Sequence, residues 1–541
     1  MAERIAITEV INLFEKGKRH LIIELPTGYG KSTAGIRLYE LIKKLGPEDR
    51  VIHVLPLRAI VEDLAKRFDG KINGTVAYQA GIRILNIRKE PFFDADYTIT
   101  TMDSFAHNFF KFPITELYNE KKHYYIPFTR IYVSSVIFDE AHLFASEEKV
   151  GTVFLSSIEL LGKMGNPLIV MSATIPQNIK QELVKAVNDF VIVRLGKKSG
   201  SNVSRGREII VEDDDFVGNF VGKGAKIKYT LEFIEYRLDS IVKKATDLLK
   251  NVGLNRVLII LDNINAVMQI YRMLRERGFN IGVIHSMRTR RERLEIIDNL
   301  RKYEVLVGTS AIEAGVDVSF DALITTPTDA LALIQRIGRV CRDINNINKE
   351  CEGKVILVDG FEKNNRNLVD YLRRNSNICW RVPFNLDGCI GYEELMKNDF
   401  IKPIELDRKY QQQLWNIFNF VFVPGNILNA FFESKDFSLI REPIVEVYTK
   451  GLSNFISDTY ENVILDSFTS DLGNLQRISK CIEGLGYIKI KRGEILREQV
   501  NDNNLIRGFI DGDEKSYSSF IKKYEAGPIV ILRENCLSEA L

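Results

Sequence analysis

Short apolar runs alternate with amphipathic stretches from the start of the chain to about residue 360. Runs this short, bounded by turn-forming residues, fit the buried strands of a parallel sheet covered by helices on both faces. In the first third they fall at 21–25, 51–55, 97–100, 133–138 and 168–171. The pattern then breaks. Residues 196 to about 224 are rich in Gly, Ser and Lys with an acidic cluster at 212–215, the composition of an exposed connector. Alternation resumes with runs at 257–261, 281–284, 305–307, 323–325 and 355–358. The expected class is α/β, with two tandem parallel-sheet domains at 1–195 and 236–375 and a linker at 196–235. From 376 to 541 the text turns aromatic-rich, as in Trp415-Asn416-Ile417-Phe418-Asn419-Phe420, and predicts a smaller C-terminal accessory domain without specifying its fold.

Composition narrows this picture only a little. A chain of 541 residues is too long for one hydrophobic core. With 74 Lys+Arg against 72 Asp+Glu there is no global field to draw it onto nucleic acid, so any such site must come from local arrangement. No apolar run approaches the roughly 18 residues of a membrane span, and Met1-Ala2-Glu3-Arg4 lacks the layout of a secretion signal, so a cytoplasmic location is expected. All six cysteines follow residue 340 and none forms a C-x-x-C pair. Cys341 and Cys351 share the spacing of Cys379 and Cys389. Reduced core cysteines are the expectation, with disulfides reserved for a hyperthermophile.

Chemistry enters after the first strand. Pro26-Thr27-Gly28-Tyr29-Gly30-Lys31-Ser32 lies between a strand and a helical stretch, the context that makes a phosphate-binding loop credible. Glycines let backbone N–H groups turn toward phosphate oxygens at the positive end of the following helix. Thr27, Gly28, Gly30, Lys31, Ser32 and Thr33 are the candidate nucleotide cradle. Lys31 supplies a point charge for the β- and γ-phosphates of ATP, and the Ser32 hydroxyl is a candidate Mg²⁺ ligand. Leu25 stands where Gly or Ala is usual. Further on, Val136-Ile137-Phe138-Asp139-Glu140-Ala141-His142 sets two carboxylates at the end of a buried strand. Asp139 is placed to hold the Mg²⁺ shell and Glu140 to deprotonate the attacking water. Ser172-Ala173-Thr174 closes another strand.

In the second half, Gln335-Arg336-Ile337-Gly338-Arg339-Val340-Cys341-Arg342 lies on a predicted helix. Arg339 and Arg342, spaced i, i+3, project from one face and suit charge developing on a γ-phosphate.

Together these segments resemble the superfamily 2 helicases, with a D-E-A-H box and a Q-R-x-G-R-x-x-R motif, over roughly residues 20–345. The resemblance implies two RecA-like domains with ATP in the cleft between them. The first would contribute Lys31, Ser32, Asp139 and Glu140. The second would contribute Gln335, Arg339, Arg342, Gly315 and, at the ribose, Asp317. By the same resemblance, nucleic acid would lie across the carboxyl ends of the strands, on Pro56, Arg58, Thr100, Thr101 and Asp103, then on Asn263, His285, Ser286, Arg288 and Thr309. No Gln in an aromatic context precedes the P-loop, so the sequence shows no adenine-reading residue.

Three stretches are similar to the CRISPR-associated type I helicases. They are residues 309–342, the run Thr101-Met102-Asp103-Ser104-Phe105 with Asn108-Phe109-Phe110-Lys111, and Ile284-His285-Ser286-Met287-Arg288 with Arg291 and Arg293. That family implies 3′→5′ movement on single-stranded DNA and a crRNA-guided surveillance complex as partner. Most members carry a fused metal-dependent HD nuclease. Here six scattered histidines include no His-Asp pair, so a separate HD nuclease subunit is expected, as in type I-A systems. A free-standing superfamily 2 helicase of DNA repair or RNA metabolism is the alternative within the class. A nucleotide-gated scaffold that binds DNA without turnover is the alternative outside it.

Overall fold

The computed structural model describes residues 4–537 apart from 47–48, 82–83, 85, 113–124, 145–146, 198–206, 222–224, 313–317, 343–349, 397, 402–404, 420–443, 492–493 and 525. Eight strands form the first sheet: β1 (His20–Glu24), β2 (Arg50–Leu55), β3 (Val76–Gln79), β4 (Tyr97–Thr101), β5 (Ser134–Phe138), β6 (Leu168–Ser172), β7 (Val191–Leu195) and β8 (Glu208–Val211). Their order is β3-β4-β2-β5-β6-β1-β7-β8, and every pairing is parallel. The second sheet holds β9 (Ile227–Glu235), β10 (Val257–Ile260), β11 (Ile281–Ile284), β12 (Val305–Gly308), β13 (Ala322–Thr325) and β14 (Cys351–Asp359) in the order β11-β12-β10-β13-β14-β9, again all parallel. These are two RecA-like α/β domains, the expected class.

The continuous apolar runs have a direct cause. In β1 the side chains of Leu21 and Ile23 enter one core and Ile22 the other, so both faces must be apolar. The second sheet repeats this, with Leu258 and Ile260 on one side and Val257 and Ile259 on the other. One apolar cluster runs from the first sheet through to the second.

Residues 196–235, expected as the linker with 196 to about 224 an exposed connector, give β8 to the first sheet and β9 to the second. The strand β9 alternates exposed and half-buried positions at the sheet edge, so it lacks the continuous apolar run of the central strands. Within the acidic cluster Asp213 is buried; it caps the short helix Asp214–Val217 and accepts a hydrogen bond from the P-loop Tyr29 hydroxyl at 2.6 Å.

Beyond the second sheet, β15 (Ile378–Cys379) pairs with β16 (Ile390–Gly391). A C-terminal domain follows, built on a mixed sheet of β17 (Ile444–Tyr448), β18 (Ser467–Asp471), β19 (Ile482–Lys491), β20 (Glu494–Val500) and β21 (Pro528–Leu532), ordered β18-β17-β21-β19-β20. Its aromatics Phe468, Phe509, Tyr517 and Phe520 are core residues.

The expectation of reduced cysteines is overturned. Cys341–Cys351, Cys379–Cys389 and Cys481–Cys536 form disulfides, with Cα–Cα separations of 6.0, 5.7 and 5.6 Å. Each pair is brought to bonding distance by chain geometry that cysteine spacing alone does not reveal.

Candidate active site

The P-loop follows β1, and Gly28 (φ +82°) and Gly30 (φ +106°) adopt left-handed conformations that side chains disfavour. Gly30 is the N-cap of the helix Lys31–Leu45, whose N-terminus can receive an anion at the backbone of Lys31 and Ser32, whereas the Thr33 N–H already donates to Gly30 O at 3.0 Å. Lys31 is buried and donates to Leu25 O at 2.8 Å and to Pro26 O at 3.4 Å. Both acceptors are loop carbonyls, which phosphate oxygens can replace. The loop thus uses the carbonyl of residue 25, while the Leu25 side chain serves the core.

Asp139 and Glu140 leave β5 at the centre of the sheet. Asp139 is buried; its Oδ1 accepts from Glu140 N at 2.8 Å, and its Oδ2 lies 3.5 Å from His53 Nε2. Burial alone would raise this carboxyl, but His53, Lys31 and the Glu140 N–H together hold it below the ordinary aspartate value. His53 is itself oriented by Tyr97, whose hydroxyl lies 2.7 Å from Nδ1. His53 is not among the residues predicted from sequence; its one signal there is a polar residue inside the apolar run of β2.

Glu140 has φ +52°, an uncommon conformation for a non-glycine residue. Burial pushes its carboxyl up to about 7, against the pull of Lys31, Arg339 and Arg342. Its Oε2 is shielded from solvent and, among the described residues, has no hydrogen-bond partner. An orphaned acceptor beside an ionised carboxylate, a lysine and two arginines fits a Mg²⁺–ATP and an attacking water.

A polar chain crosses the cleft at His142. Burial, reinforced by Lys31, lowers its pKa to about 3, so the ring is neutral. The neutral ring accepts from the Gln335 amide at Nε2 and donates from Nδ1 to Ser172 Oγ at 2.7 Å; the Ser172 hydroxyl in turn donates to Thr174 O at 2.8 Å. The D-E-A-H box, the Ser-Ala-Thr segment and the Q-R-x-G-R helix are joined in this one chain. Arg336, not among the sequence candidates, is buried and pairs with Asp262 at 3.1 Å and with Thr325 Oγ1 at 2.9 Å, anchoring that helix to its own sheet. Arg339 and Arg342 both lie close enough to bias Glu140. Gly315 and Asp317 lie outside the described residues.

The expected nucleic-acid residues fall into one row per sheet. Leu55 and Thr101 are register partners at the carboxyl ends of β2 and β4, which places Pro56, Arg58, Thr100, Thr101 and Asp103 together. Asn263, His285, Ser286 and Thr309 follow the neighbouring strands β10, β11 and β12. Several of these side chains already have structural work. Thr100 donates to Gln79 O at 2.6 Å, Thr101 caps the helix Met102–Phe109, and Asn263 caps the helix Ile264–Glu276. His285 is buried and accepts from Met287 N at 3.2 Å; burial and Arg288 lower its pKa to about 4. Arg288 pairs with Glu292 at 2.5 Å. In the same basic run, Arg290 pairs with Glu446 at 2.8 Å and Arg291 with Asp466 at 2.7 Å, so these two arginines dock the C-terminal domain onto the helix Arg290–Asp298 of the second domain.

Residues 6–182 match the DEAD/DEAH box helicase model, and residues 254–345 match the C-terminal model of the CRISPR-associated nuclease/helicase Cas3. The CRISPR-associated helicase Cas3 of Thermoproteus tenax is 24% identical over 364 residues, covering 63% of this chain and 57% of that protein. The ATP-dependent helicase Lhr-Core of Methanocaldococcus jannaschii is 29% identical over 365 residues, covering 62% of this chain and 39% of that protein. The chain thus matches about half the length of these curated relatives. Among solved structures, the crystal structure of T. fusca Cas3 aligns with a TM-score of 0.63 at 15% identity, covering 98% of this chain and 68% of that one.

Proposed function

We propose that this chain, which carries a DEAD/DEAH box helicase domain and a Cas3-like C-terminal helicase domain, is an ATP-driven translocase on single-stranded DNA that unwinds target DNA in type I CRISPR interference. The observation that carries the reading is the convergence on Glu140. Lys31 and Asp139 reach it from the first domain and Arg339 and Arg342 from the second, with His142 and Gln335 joined across the cleft. A hydrolytic set divided between two domains is complete only when they close, so each ATP cycle moves one domain against the other.

In this reading Lys31 exchanges its loop carbonyls for the β- and γ-phosphates. Asp139 and Ser32 would hold Mg²⁺, which when bound would neutralise phosphate charge. Glu140 accepts a proton from the attacking water at its Oε2 as the water oxygen bonds to the γ-phosphorus and the bond to the β,γ-bridging oxygen breaks, releasing ADP; Arg339 and Arg342 stabilise the charge that develops on the phosphoryl oxygens. Backbone and hydroxyl groups along the two strand-end rows grip phosphates without reading bases, as a translocating motor requires.

The partners proposed are a crRNA-guided surveillance complex and an HD nuclease on a separate subunit. Supporting a separate nuclease, the five described histidines are dispersed: His20 lies 3.7 Å from Asp189, His53 serves Asp139, His142 the cleft, His107 the carbonyl of Phe112 and His285 its own turn. A labelled 3′-tailed duplex with ATP tests the reading. The protein should separate the strands and leave both uncut with Mn²⁺ or Ni²⁺, and a 5′-tailed duplex should stay intact. Cutting that vanishes on mutating a residue of this chain would overturn the separate-nuclease part. The likeness to the ATP-dependent helicase Lhr-Core favours a second reading, a free-standing superfamily 2 helicase of DNA repair or RNA metabolism; unwinding unaffected by a guide-loaded complex on its target would support it.

A further inference from the structure

We propose that Arg381 is a positioning residue for ATP hydrolysis, clasping the P-loop of the first domain to the turn of the second that carries Arg339 and Arg342. The inference rests on the ATPase reading above and adds to it a residue outside the helicase motifs.

Arg381 is among the largest fully buried side chains, 1% exposed. A guanidinium does not deprotonate, so burying it is costly unless its donors are satisfied and its place matters. Among the described residues no carboxylate pairs with it. Its donors go instead to backbone oxygens on both sides of the cleft: Nη1 to Thr27 O at 3.1 Å, and Nη2 to Gly338 O at 2.6 Å and Val340 O at 3.3 Å. Nε donates to the Tyr229 hydroxyl at 3.2 Å, and that hydroxyl in turn lies 3.2 Å from Val340 O. Thr27 opens the phosphate loop, whereas Gly338 and Val340 flank Arg339. One rigid fork therefore sets the distance between the phosphate cradle and the arginine pair.

The surrounding segment repeats the pattern. Tyr392 is buried and donates to Ala173 O, in the Ser-Ala-Thr segment, at 3.2 Å. Glu393 accepts from Arg194 of β7 at 3.2 Å. Trp380, Tyr392 and Leu395 belong to the apolar cluster that joins the two sheets. The Cys379–Cys389 disulfide closes the loop that carries Arg381, and the Cys341–Cys351 disulfide fixes the end of the arginine turn. A segment with these contacts is built to hold both domains at the cleft.

Displacing a catalytic group by about 1 Å costs on the order of 10²-fold in rate, without a matching loss of ground-state binding. The test is steady-state ATP hydrolysis by the full chain with saturating single-stranded DNA, with thermal unfolding of each variant alongside. Arg381→Ala should lower kcat about 10²-fold and leave KM for ATP nearly unchanged. Arg381→Lys keeps the charge but has no fork to span three carbonyls, so it should fail to rescue kcat while melting close to the parent. Should Arg381→Ala not fold, Arg381→Lys alone decides. Tyr392→Phe, which removes one cross-cleft hydrogen bond without a cavity, should lower kcat by less. Parent-like kcat in Arg381→Lys overturns the proposal, and so does a rise in KM at constant kcat. A parent protein that hydrolyses no ATP sinks the ATPase reading and this role with it, an outcome distinct from active parent and active variant.

Discussion

The ATP cleft and the strand-end rows are built from the same sheets, yet they use their polar groups in opposite ways. In the cleft, polar side chains bind one another across domains: His142 reaches Gln335, and Glu140 lies within the influence of both arginines. Along the rows, Thr100, Thr101 and Asn263 bond within their own domain as strand-end and helix-cap groups. Cleft residues therefore answer to chemistry, and removing one should stop turnover while sparing the fold. Row residues answer partly to the fold, and removing one should alter grip and stability together.

The largest expected effect lies in the cleft. Arg339→Ala or Arg342→Ala should lower DNA-stimulated kcat by about 10³–10⁵-fold, read as phosphate release. Activity near that of the parent in both variants would remove the second domain from the hydrolytic set. Next, Glu140→Gln should reduce kcat by about 10²–10⁴-fold while nucleotide-dependent DNA binding survives. Loss of binding in step with turnover would mean that Glu140 is structural, and the contrast with the rows would collapse.

Stability effects come third. The Cys481–Cys536 disulfide closes a separation of 55 residues in the C-terminal domain. Replacing both cysteines by Ser should cost that domain about 4 kcal/mol, whereas the pair Cys341–Cys351, with a separation of 10, should be worth about 3 kcal/mol. Calorimetry with and without reductant measures this, and an unchanged profile would show that the thiols are not paired. Asp466→Asn weakens the bidentate hold of Arg291 on the C-terminal domain, with Nε and Nη2 distances of 2.7 and 3.0 Å. A loss of about 1–2 kcal/mol is expected, seen as earlier proteolytic release of that domain.

The smallest effect concerns grip. Affinity for single strands should be indifferent to base sequence, and its logarithm should fall with log salt by about 0.7 per phosphate neutralised. Arg58→Ala should reduce that slope by about one phosphate's share. A slope that does not change would move Arg58 out of the row.

The same contrast explains what could be read from the residues in advance. Lys31, Asp139, Glu140, Arg339 and Arg342 could be singled out because the proposed phosphate chemistry would need those residue types at fixed spacings beside strand ends; the structure places the other four near enough to act on Glu140. Central strands were legible because burial on both faces forces continuous apolar runs. The edge strands β8 and β9 were not, since a sheet edge admits the polar and glycine-rich text of a connector. Arg381 was hidden for another reason: its partners are backbone carbonyls and the Tyr229 hydroxyl, which leave no local pattern. The equal spacing of Cys341/Cys351 and Cys379/Cys389 was visible but does not by itself imply bonding, and Cys481 and Cys536 are 55 residues apart. His53 stood in plain view within β2, but only the fold sets it beside Asp139.

The central claim is that ATP is hydrolysed in a cleft completed by both domains and driven by single-stranded DNA. Phosphate release by the full chain, measured with no nucleic acid, with single-stranded RNA and with single-stranded DNA, tests it most directly. The account predicts slow basal turnover, strong stimulation by DNA alone, and no stimulated turnover in Arg339→Ala. Turnover that ignores nucleic acid, or stimulation that persists in Arg339→Ala, would contradict it.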